Sequence, residues 1–350
     1  MAFQRQLVFI VPGDINTRTG GYRYDKRMID ELRERDWQVR LVSLDGDFPF
    51  PTDQQLEEAD RKLGELEDDS FVLIDGLAYS VMPKQLAKHE KRLTLIALIH
   101  HPLALETDLT PSQSDSLQQL ETQSLAFAHH VITTSESTAQ ALSDYQVSSS
   151  RISFVCPGVD AAPTAHGSHT AELNLLCVAT LTHRKGHAVL IKALKLLEHR
   201  AWHLNCAGSL ERDLRISDQL IAQRSSLGLS ERITFLGELK DDALEAQYMQ
   251  ADLFVLPSFH EGYGMVLDEA ISYGLPIIAS DAGAISQTLP TGAGLLVPPG
   301  NPEALAEALS LFIDNESTRD GLREHALAAR SDQRSWNQAA HQFEVALNFG

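Results

Sequence analysis

Residues 261–270 bring together two glutamates, two glycines and a tyrosine at the point where a helix is predicted to begin. The first N–H groups of a helix lack intrahelical partners and lie at the positive end of its dipole, so they bind anions readily. The amides expected to do so here are those of Gly264, Met265 and Val266. Glu261 precedes the helix and Glu269 lies inside it, so the two carboxylates can contact different parts of one extended polar ligand. The alternative is that Asp268 and Glu269 are solvated helix charges.

A second segment suited to anion binding is Thr-His-Arg-Lys-Gly-His at residues 182–187, directly before a helix predicted for residues 188–197. Arg184 and Lys185 place two positive charges at the helix N-terminus, where they oppose the dipole and reduce stability. A bound anion would offset this repulsion, and a diphosphate is a good candidate. The alternative is a basic turn that contacts only solvent.

In the first half of the chain, Gly20 and Gly21 precede a predicted helix and follow the apolar run at residues 7–11. Paired glycines before a helix let backbone amides approach an anion closely. The spacing is not G-x-G-x-x-G, so the dinucleotide fingerprint is not met. A tight turn without a ligand is the alternative.

His100 and His101 directly follow another apolar run, residues 93–99. Ligands of open α/β sheets bind beyond the carboxyl ends of the strands, so a histidine at this position is placed for binding. Its ordinary pKa of about 6.5 suits hydrogen bonding to sugar hydroxyls or proton transfer. A metal site is the second interpretation, although no carboxylate ligands lie nearby in sequence, and a structural histidine at a strand end is the third.

Short apolar runs that alternate with amphipathic stretches position these side chains. The runs are rich in Val, Ile and Leu without polar alternation, which is typical of strands buried on both faces of a parallel sheet. Amphipathic stretches such as residues 22–35 are predicted helices, so the pattern is one of βαβ units. The predicted strands are residues 7–11, 39–44, 71–74, 93–99 and 131–134, then 173–179, 203–207, 233–236, 253–256, 276–279 and 294–297.

The alternating pattern breaks at residues 157–170, which are rich in Pro, Gly, Ala, His and Ser and are predicted to be a linker. We therefore predict two α/β domains, residues 1–160 and residues 161–334. The remaining residues 335–350 are predicted to form a helix with Ser335 as its N-cap.

The net charge of the 350-residue chain is -19 at pH 7, which argues against a nucleic-acid partner and, more weakly, against anionic lipid. One basic run exists, and it is best interpreted as a solvated helix face, so peripheral membrane contact is not favoured. That run consists of Lys84, Lys88, Lys91 and Arg92. No stretch reaches the roughly 18 apolar residues of a transmembrane helix. The cysteines Cys156, Cys177 and Cys206 are isolated from one another in sequence, which fits a reduced cytoplasmic setting.

Together these residues resemble the family 4 glycosyltransferases of the GT-B fold. The spacing of Glu261 and Glu269 matches the E-x7-E motif of that family, and residues 181–190 resemble its diphosphate loop. Residues 131–160 and 272–281 also fit, so the resemblance spans nearly the whole chain and is most specific in the second half. It implies two Rossmann-like domains whose parallel sheets face an interdomain cleft that holds the active site.

The resemblance also implies roles for the two domains. Residues 1–160 would bind the acceptor, residues 161–334 would bind the nucleotide-sugar donor, and the helix at residues 335–350 would pack back on the first domain. In the second domain, Glu261 would hydrogen-bond the donor sugar, and Glu269 would bind the ribose hydroxyls. The remaining donor contacts would be Lys185 and Arg184 on the diphosphate, the amides of Gly264, Met265 and Val266, and backbone near Gly237 around the base.

In the first domain, His100 matches a histidine of the family that contacts the donor sugar. Gly20 and Gly21 would lie under the phosphates or near the acceptor. Loops around Tyr22, Tyr24 and His101 would select the acceptor, which is a sugar, a lipid, a peptide or a small metabolite.

The implied reaction moves a sugar, with retention of anomeric configuration, from a nucleoside-diphosphate sugar to a hydroxyl group. UDP-sugars are the commonest donors of the family, and neither a metal nor another cofactor is expected. One departure is that the Gly-Arg pair of many members is replaced by Ala179-Thr180, so that either Arg184 substitutes or the diphosphate is held less strongly. The alternatives are a GT-B epimerase or phosphorylase, and a non-catalytic protein that binds nucleotide sugars.

Overall fold

The computed structural model describes residues 5–107 and 109–349, which divide into two compact units. The first unit comprises Met1–Gly158 together with Arg334–Gly350, and the second comprises Val159–Gln333. Residues 1–4, 108 and 350, which the predicted domain ranges include, lie outside the described residues.

A six-stranded parallel sheet in the order β2-β1-β3-β4-β5-β6 forms the centre of the first unit. Its strands are β1 (Gln6–Pro12), β2 (Gln38–Leu44), β3 (Phe71–Asp75), β4 (Thr94–Ile99), β5 (His130–Thr133) and β6 (Ile152–Phe154). The central strands β3, β4 and β5 are buried on both faces, as their apolar runs predict. The sequence does not predict β6, because this edge strand has only three residues, all partly or fully exposed, around Ser153.

Among the described residues, six α-helices of the first unit lie between its strands, and the first of them begins with two glycines. They are α1 (Gly20–Glu34), α2 (Asp53–Gly64), α3 (Gly76–Tyr79), α4 (Pro83–His89), α5 (Pro111–Leu125) and α6 (Glu136–Ala141). α1 begins two residues before the predicted start, because the side chain of Thr19 accepts a hydrogen bond from the Tyr22 amide at 3.4 Å and caps the helix. Gly20 and Gly21 therefore form the first turn of α1 rather than a loop before it.

A second six-stranded parallel sheet, in the order β12-β11-β10-β7-β8-β9, forms the centre of the second unit. Its strands are β7 (Leu173–Val178), β8 (Trp202–Ala207), β9 (Ile233–Gly237), β10 (Leu253–Leu256), β11 (Ile277–Ser280) and β12 (Gly294–Val297). Its helices are α7 (His187–Leu196), α8 (Leu214–Ser226), α9 (Asp241–Gln250), α10 (Met265–Ser272), α11 (Ile285–Thr288), α12 (Pro302–Asp314) and α13 (Glu316–Ala329). Every strand predicted for this half is present, with ends that shift by no more than a residue or so.

The C-terminal helix α14 (Trp336–Leu347) belongs to the first unit and packs against α1. Ser335 caps it, and the side chain of Gln338 completes a capping box. Phe343 is fully buried, and burial of a side chain of this kind stabilises the fold by about 1.5–3 kcal/mol. The N–H group of the Trp37 indole donates to the Glu344 carboxylate at 2.8 Å, which adds a polar contact to the apolar one.

Cys177 and Cys206 are not isolated in the structure, although they are far apart in sequence. They are direct neighbours on the parallel strands β7 and β8, both are buried, and both are free thiols. Cys156 is also free and is partly exposed. Within the described part of the chain, no helix is long and apolar enough to cross a membrane.

Candidate active site

The basic segment predicted to bind a diphosphate forms a tight loop between β7 and α7. His183–Lys185 make one 3-10 turn, and Gly186 then adopts φ 69° as the N-cap of α7. A Cβ atom at Gly186 would lie 2.0 Å from the carbonyl oxygen of Pro257, so only glycine lets this loop lie against the segment that follows β10. That segment carries Glu261, and the contact therefore sets the position of Lys185 relative to it.

Lys185 and Glu261 form a buried ion pair. Lys185 Nζ donates to Glu261 Oε1 at 2.6 Å, and Ser258 Oγ donates to the same oxygen at 2.6 Å. Arg184 Nη1 lies 3.5 Å from the other oxygen, Oε2. The side chains of Lys185 and Glu261 are only 17% and 7% exposed, so the pair is shielded from solvent.

The Glu261 carboxylate is ionised despite its burial. Burial by itself raises the pKa of the carboxyl, but Lys185, Arg184 and the Ser258 hydroxyl stabilise the anion and lower its pKa to about 2. Two cations thus flank one anion, and the net charge of this group is positive. Such a group can attract an anionic ligand, which must share Lys185 with Glu261.

Backbone hydrogen bonds hold this group in place. The Phe259 amide donates to the Arg184 carbonyl at 2.8 Å, and Arg184 Nη1 donates to the His260 carbonyl at 2.9 Å. The Ala284 amide donates to the Glu261 backbone carbonyl at 2.9 Å, so a third segment holds the main chain that carries this carboxylate. The sequence predicts separate ligands for Lys185 and Glu261, whereas the structure pairs the two side chains directly.

The helix that carries the second glutamate begins as predicted, immediately after Gly264. Gly264 is the N-cap at φ 90° and provides no side-chain cap, while Met265 and Val266 are half-buried in the first turn. Further along α10, Glu269 accepts a hydrogen bond from the Tyr248 hydroxyl at 2.9 Å. Asp268 accepts one from Tyr263 at 2.6 Å. Both carboxylates are therefore held by tyrosines and are not merely solvated helix charges.

Gly237 ends β9 at φ 71°, and its carbonyl accepts a hydrogen bond from the Gly208 amide at 2.9 Å. A Cβ atom at Gly237 would meet no described atom within 4 Å, so the backbone there borders open space. A Cβ atom at Gly208 would lie 2.0 Å from the Ala179 carbonyl oxygen and 2.9 Å from the Thr180 amide. The chain is thus closely packed at Thr180, while the Arg184 guanidinium is directed to His260 and Glu261.

In the first unit, His100 lies between two carboxylates that come from other elements. Its Nε2 atom is 3.0 Å from Asp25 Oδ1 on α1 and 3.3 Å from Asp75 Oδ2 at the end of β3. Burial opposes the imidazolium form, but the two carboxylates outweigh it and raise the pKa of His100 to about 10. Burial raises the pKa of Asp25 to about 7.

The sequence provides one signal for this cluster. Asp75 immediately follows the predicted strand at residues 71–74, at the same sheet edge as His100, whereas Asp25 lies inside a helix and carries no comparable signal. The ligand atoms of Asp25, Asp75 and His100 lie within 4.8 Å of one another, which is also compatible with a metal ion. The absence of a metal requirement stays a prediction.

The three residues expected at the acceptor have different surroundings. Tyr24 is 1% exposed and donates its hydroxyl to the Val155 carbonyl at 2.9 Å. The structure thus corrects its predicted role, because this position of α1 faces the core. Tyr22 is 8% exposed and donates to the Pro12 carbonyl. His101 is half-buried, and its Nε2 lies 2.6 Å from Glu106 Oε1.

Two family models match the chain. Residues 160–328 match the model of the glycosyl transferases group 1. Residues 19–162 match the model of Glycosyltransferase Family 4. The two matches overlap only at residues 160–162 and together span residues 19–328, with most of each match in a different unit.

The chain is similar to a D-inositol 3-phosphate glycosyltransferase of Corynebacterium glutamicum (strain R), with 32% identity over 237 residues. This alignment covers 62% of the chain and 56% of the relative, so the chain spans little more than half of that protein.

Among solved structures, the chain is similar to sucrose-phosphate synthase from Thermosynechococcus elongatus (TM-score 0.81, 18% identity, 97% and 98% of the two chains covered). It is also similar to HepE from Anabaena, solved with UDP and glucose (TM-score 0.78, 18% identity, 98% and 99% covered). At this identity the similarity concerns the fold, and it confirms the predicted α/β class built on two parallel sheets.

Proposed function

Because the chain belongs to the family 4 glycosyltransferases and has the GT-B fold, we propose that it transfers a sugar from a UDP-sugar to an acceptor hydroxyl with retention of anomeric configuration. The observation that carries this proposal is the buried group that Arg184 and Lys185, before α7, form with Glu261, after β10. A glycosyltransferase must stabilise a diphosphate leaving group, and this group supplies two fixed cations for that purpose.

In this reaction the bond between the anomeric carbon and the β-phosphate oxygen breaks. The acceptor oxygen forms the new bond on the same face, and its proton passes to the departing phosphate. Lys185, assisted by Arg184, stabilises the charge that develops on the phosphate, and the helix dipole of α10 adds to this stabilisation.

Glu261 acts as an orienting group rather than as a nucleophile. Its carboxylate is already bound by Lys185 and Ser258, and these contacts reduce its nucleophilicity. The role that fits a fixed, ionised carboxylate is to accept hydrogen bonds from hydroxyl groups of the donor sugar. A metal ion has no assigned part in this proposal, because the side-chain cations and the helix N-terminus carry the required positive charge.

The uridine base is supported by HepE, whose solved complexes contain UDP, UDP-glucose, and UDP with glucose. We expect UDP to raise the melting temperature of this protein more than GDP or ADP does, equally with magnesium or with EDTA. At 100 times its Kd a ligand adds about 2.7 kcal/mol to the free energy of unfolding. A shift only with GDP or ADP would assign another base, and a shift that needs magnesium would contradict the metal-independent mechanism.

Glu269 is the proposed ligand of the ribose hydroxyls. Glu269→Ala is expected to weaken UDP binding about tenfold to a hundredfold, as hydrogen bonds to a charged group are lost. The matched control is 2′,3′-dideoxy-UDP, which lacks those hydroxyls and should bind the wild type and the variant equally. Isothermal titration calorimetry gives both affinities. An equal loss for the two nucleotides would place Glu269 elsewhere.

Transfer itself is tested with a radiolabelled UDP-sugar and a panel of hydroxyl acceptors, with anomeric configuration read by NMR. A product with retained configuration supports the proposal, whereas inversion contradicts it. Binding without turnover for every acceptor would favour a non-catalytic role, and donor epimerisation or phosphorolysis would favour the corresponding GT-B enzymes.

A further inference from the structure

Asp25 is a buried carboxylate for which the structure offers no structural task of its own. It is fully buried within α1, its Oδ1 atom contacts His100 Nε2, and its Oδ2 atom has no hydrogen-bond partner among the described residues. Asp75 differs, because its Oδ1 accepts the Leu77 amide at 2.9 Å and caps α3. A buried carboxyl with one unsatisfied oxygen reduces the stability of the fold. The contact of Asp25 with His100 is therefore the feature that we examine for a functional role.

The ring of His100 is confined on several sides. A Cβ atom at Gly21 would lie 3.3 Å from its Cδ2 atom, so the glycine leaves the ring more room than a larger residue would. The Tyr24 ring meets it edge-on at a centroid distance of 5.6 Å. The His100 carbonyl accepts hydrogen bonds from the hydroxyls of Thr134 and Thr138, each at 3.3 Å.

Both carboxylates contact the same ring nitrogen, Nε2. The other nitrogen, Nδ1, is therefore the one that can hydrogen-bond a ligand. The His100 side chain is 19% exposed, so the ring is anchored in the protein and still reaches its surface. A neutral ring with its proton on Nε2 would offer Nδ1 as an acceptor only. A ring that carries both protons offers an Nδ1–H donor.

We propose that Asp25 is a positioning residue that, together with Asp75, holds His100 as an imidazolium whose Nδ1–H donates to an oxygen of the substrate. The inference rests on the proposed transferase function for its substrate, but not for its statement about His100. The acceptor oxygen belongs to a sugar hydroxyl or to a phosphate, which share the same hydrogen-bond chemistry.

The protonation states agree with this arrangement. The groups that face His100 are Asp25 on α1, Asp75 at the end of β3 and the Tyr24 phenol, whose own pKa is raised by burial so that it stays neutral. The two carboxylates raise the pKa of His100 above its ordinary value, so the ring keeps its positive charge to a higher pH than an unpaired histidine would. Without one carboxylate, the charge is lost at lower pH.

The test is the titration of His100 in the wild type and in Asp25→Asn, followed by NMR of the histidine ring. In the wild type we expect a pKa raised well above the ordinary value of about 6.5, and in Asp25→Asn a pKa that moves back towards it. Turnover of Asp25→Asn should then begin to decline at a lower pH than wild-type turnover does, by up to about tenfold per pH unit above the pKa of its His100.

A matched control exists in the same unit, because His89 Nε2 lies 3.0 Å from Asp60 Oδ1. Asp60→Asn removes an equivalent carboxylate from another histidine and should leave both the pH profile and the His100 titration unchanged. The double variant Asp25→Asn/His100→Gln should lose the alkaline decline, because an amide donor does not titrate in this range.

Two results would overturn the proposal. One is a wild-type His100 that titrates near pH 6.5, which needs neither an active enzyme nor a folded variant. The other is stabilisation of the wild type, but not of Asp25→Asn, by manganese or zinc, which would assign the cluster to a metal. If no donor or acceptor supports turnover, the titration still decides the state of His100, so that failure of the transferase proposal is distinguished from failure of this one.

Discussion

Lys185→Ala is expected to reduce kcat by about 100- to 1,000-fold, the loss typical of removing one group that stabilises transition-state charge. The same change leaves Glu261 buried beside Arg184, whose nearest guanidinium nitrogen is 3.5 Å from the carboxylate. Removing one partner of a buried pair costs about 3–5 kcal/mol, so the variant also unfolds at lower denaturant concentration. Two effects are therefore superimposed, and a second variant must separate them.

Lys185→Ala/Glu261→Gln performs this separation. The substitution at position 261 removes the buried negative charge that Lys185 neutralises. The double variant should therefore regain much of the lost free energy of unfolding. It should not regain turnover, because the phosphate still lacks Lys185. Lys195→Ala, on the helix that follows Lys185, is the control, since Lys195 is a more exposed partner of Glu198 and its loss should change stability by less than about 0.5 kcal/mol.

The measurements are urea unfolding and steady-state kinetics. A double variant that recovers both stability and turnover would show that Lys185 acts only by neutralising Glu261. A Lys185→Ala variant with wild-type kcat would remove the cation from the mechanism altogether.

The ion pair of Lys185 and Glu261 also predicts how the stability of the fold changes at low pH. Because the pKa of Glu261 is lowered to about 2 in the fold, its ionised form contributes stability that is fully present above its ordinary pKa of about 4.3. This contribution is lost as the pH falls through the folded value. Glu261→Gln has no such group, so the stability difference between it and the wild type should narrow as the pH decreases towards 2, a trend that urea titrations at several pH values would measure.

The parts of the site that the sequence predicts well are those made by neighbouring residues. Gly264 and Glu269 belong to one turn and its helix, so local spacing is enough to place them. The buried runs of the central strands are equally local, because burial on both faces makes them continuously apolar.

The parts that it does not predict depend on pairs that only the fold brings together. Lys185 and Glu261 are 76 positions apart, and Asp25 and His100 are 75 apart, so neither pairing leaves a local pattern. The predicted role of Tyr24 is wrong for a different reason. A tyrosine near a binding loop can pack in the core or contact a ligand, and the sequence does not show which face of the helix carries it.

Gly186→Ala is the substitution expected to be most damaging without removing any functional group. An alanine there must adopt φ near 69°, and its Cβ atom would lie 2.0 Å from the Pro257 carbonyl oxygen. Left-handed backbone costs an ordinary residue about 1–2 kcal/mol. Relief of the clash requires the loop or the opposing segment to move, at a further cost of about 1–3 kcal/mol.

Gly228→Ala isolates the first of these effects, the backbone cost, because Gly228 has φ 72° and a Cβ atom there meets nothing within 4 Å. The free energy of unfolding of this control should fall only by the backbone cost, and the control should retain full turnover. Gly186→Ala should be less stable than the control and should lose about 100-fold in kcat/KM, since a shift of about 1 Å between Lys185 and Glu261 is enough for such a loss. Equal behaviour of the two variants would mean that the loop adapts, and that the close approach to Pro257 is not what positions the cation.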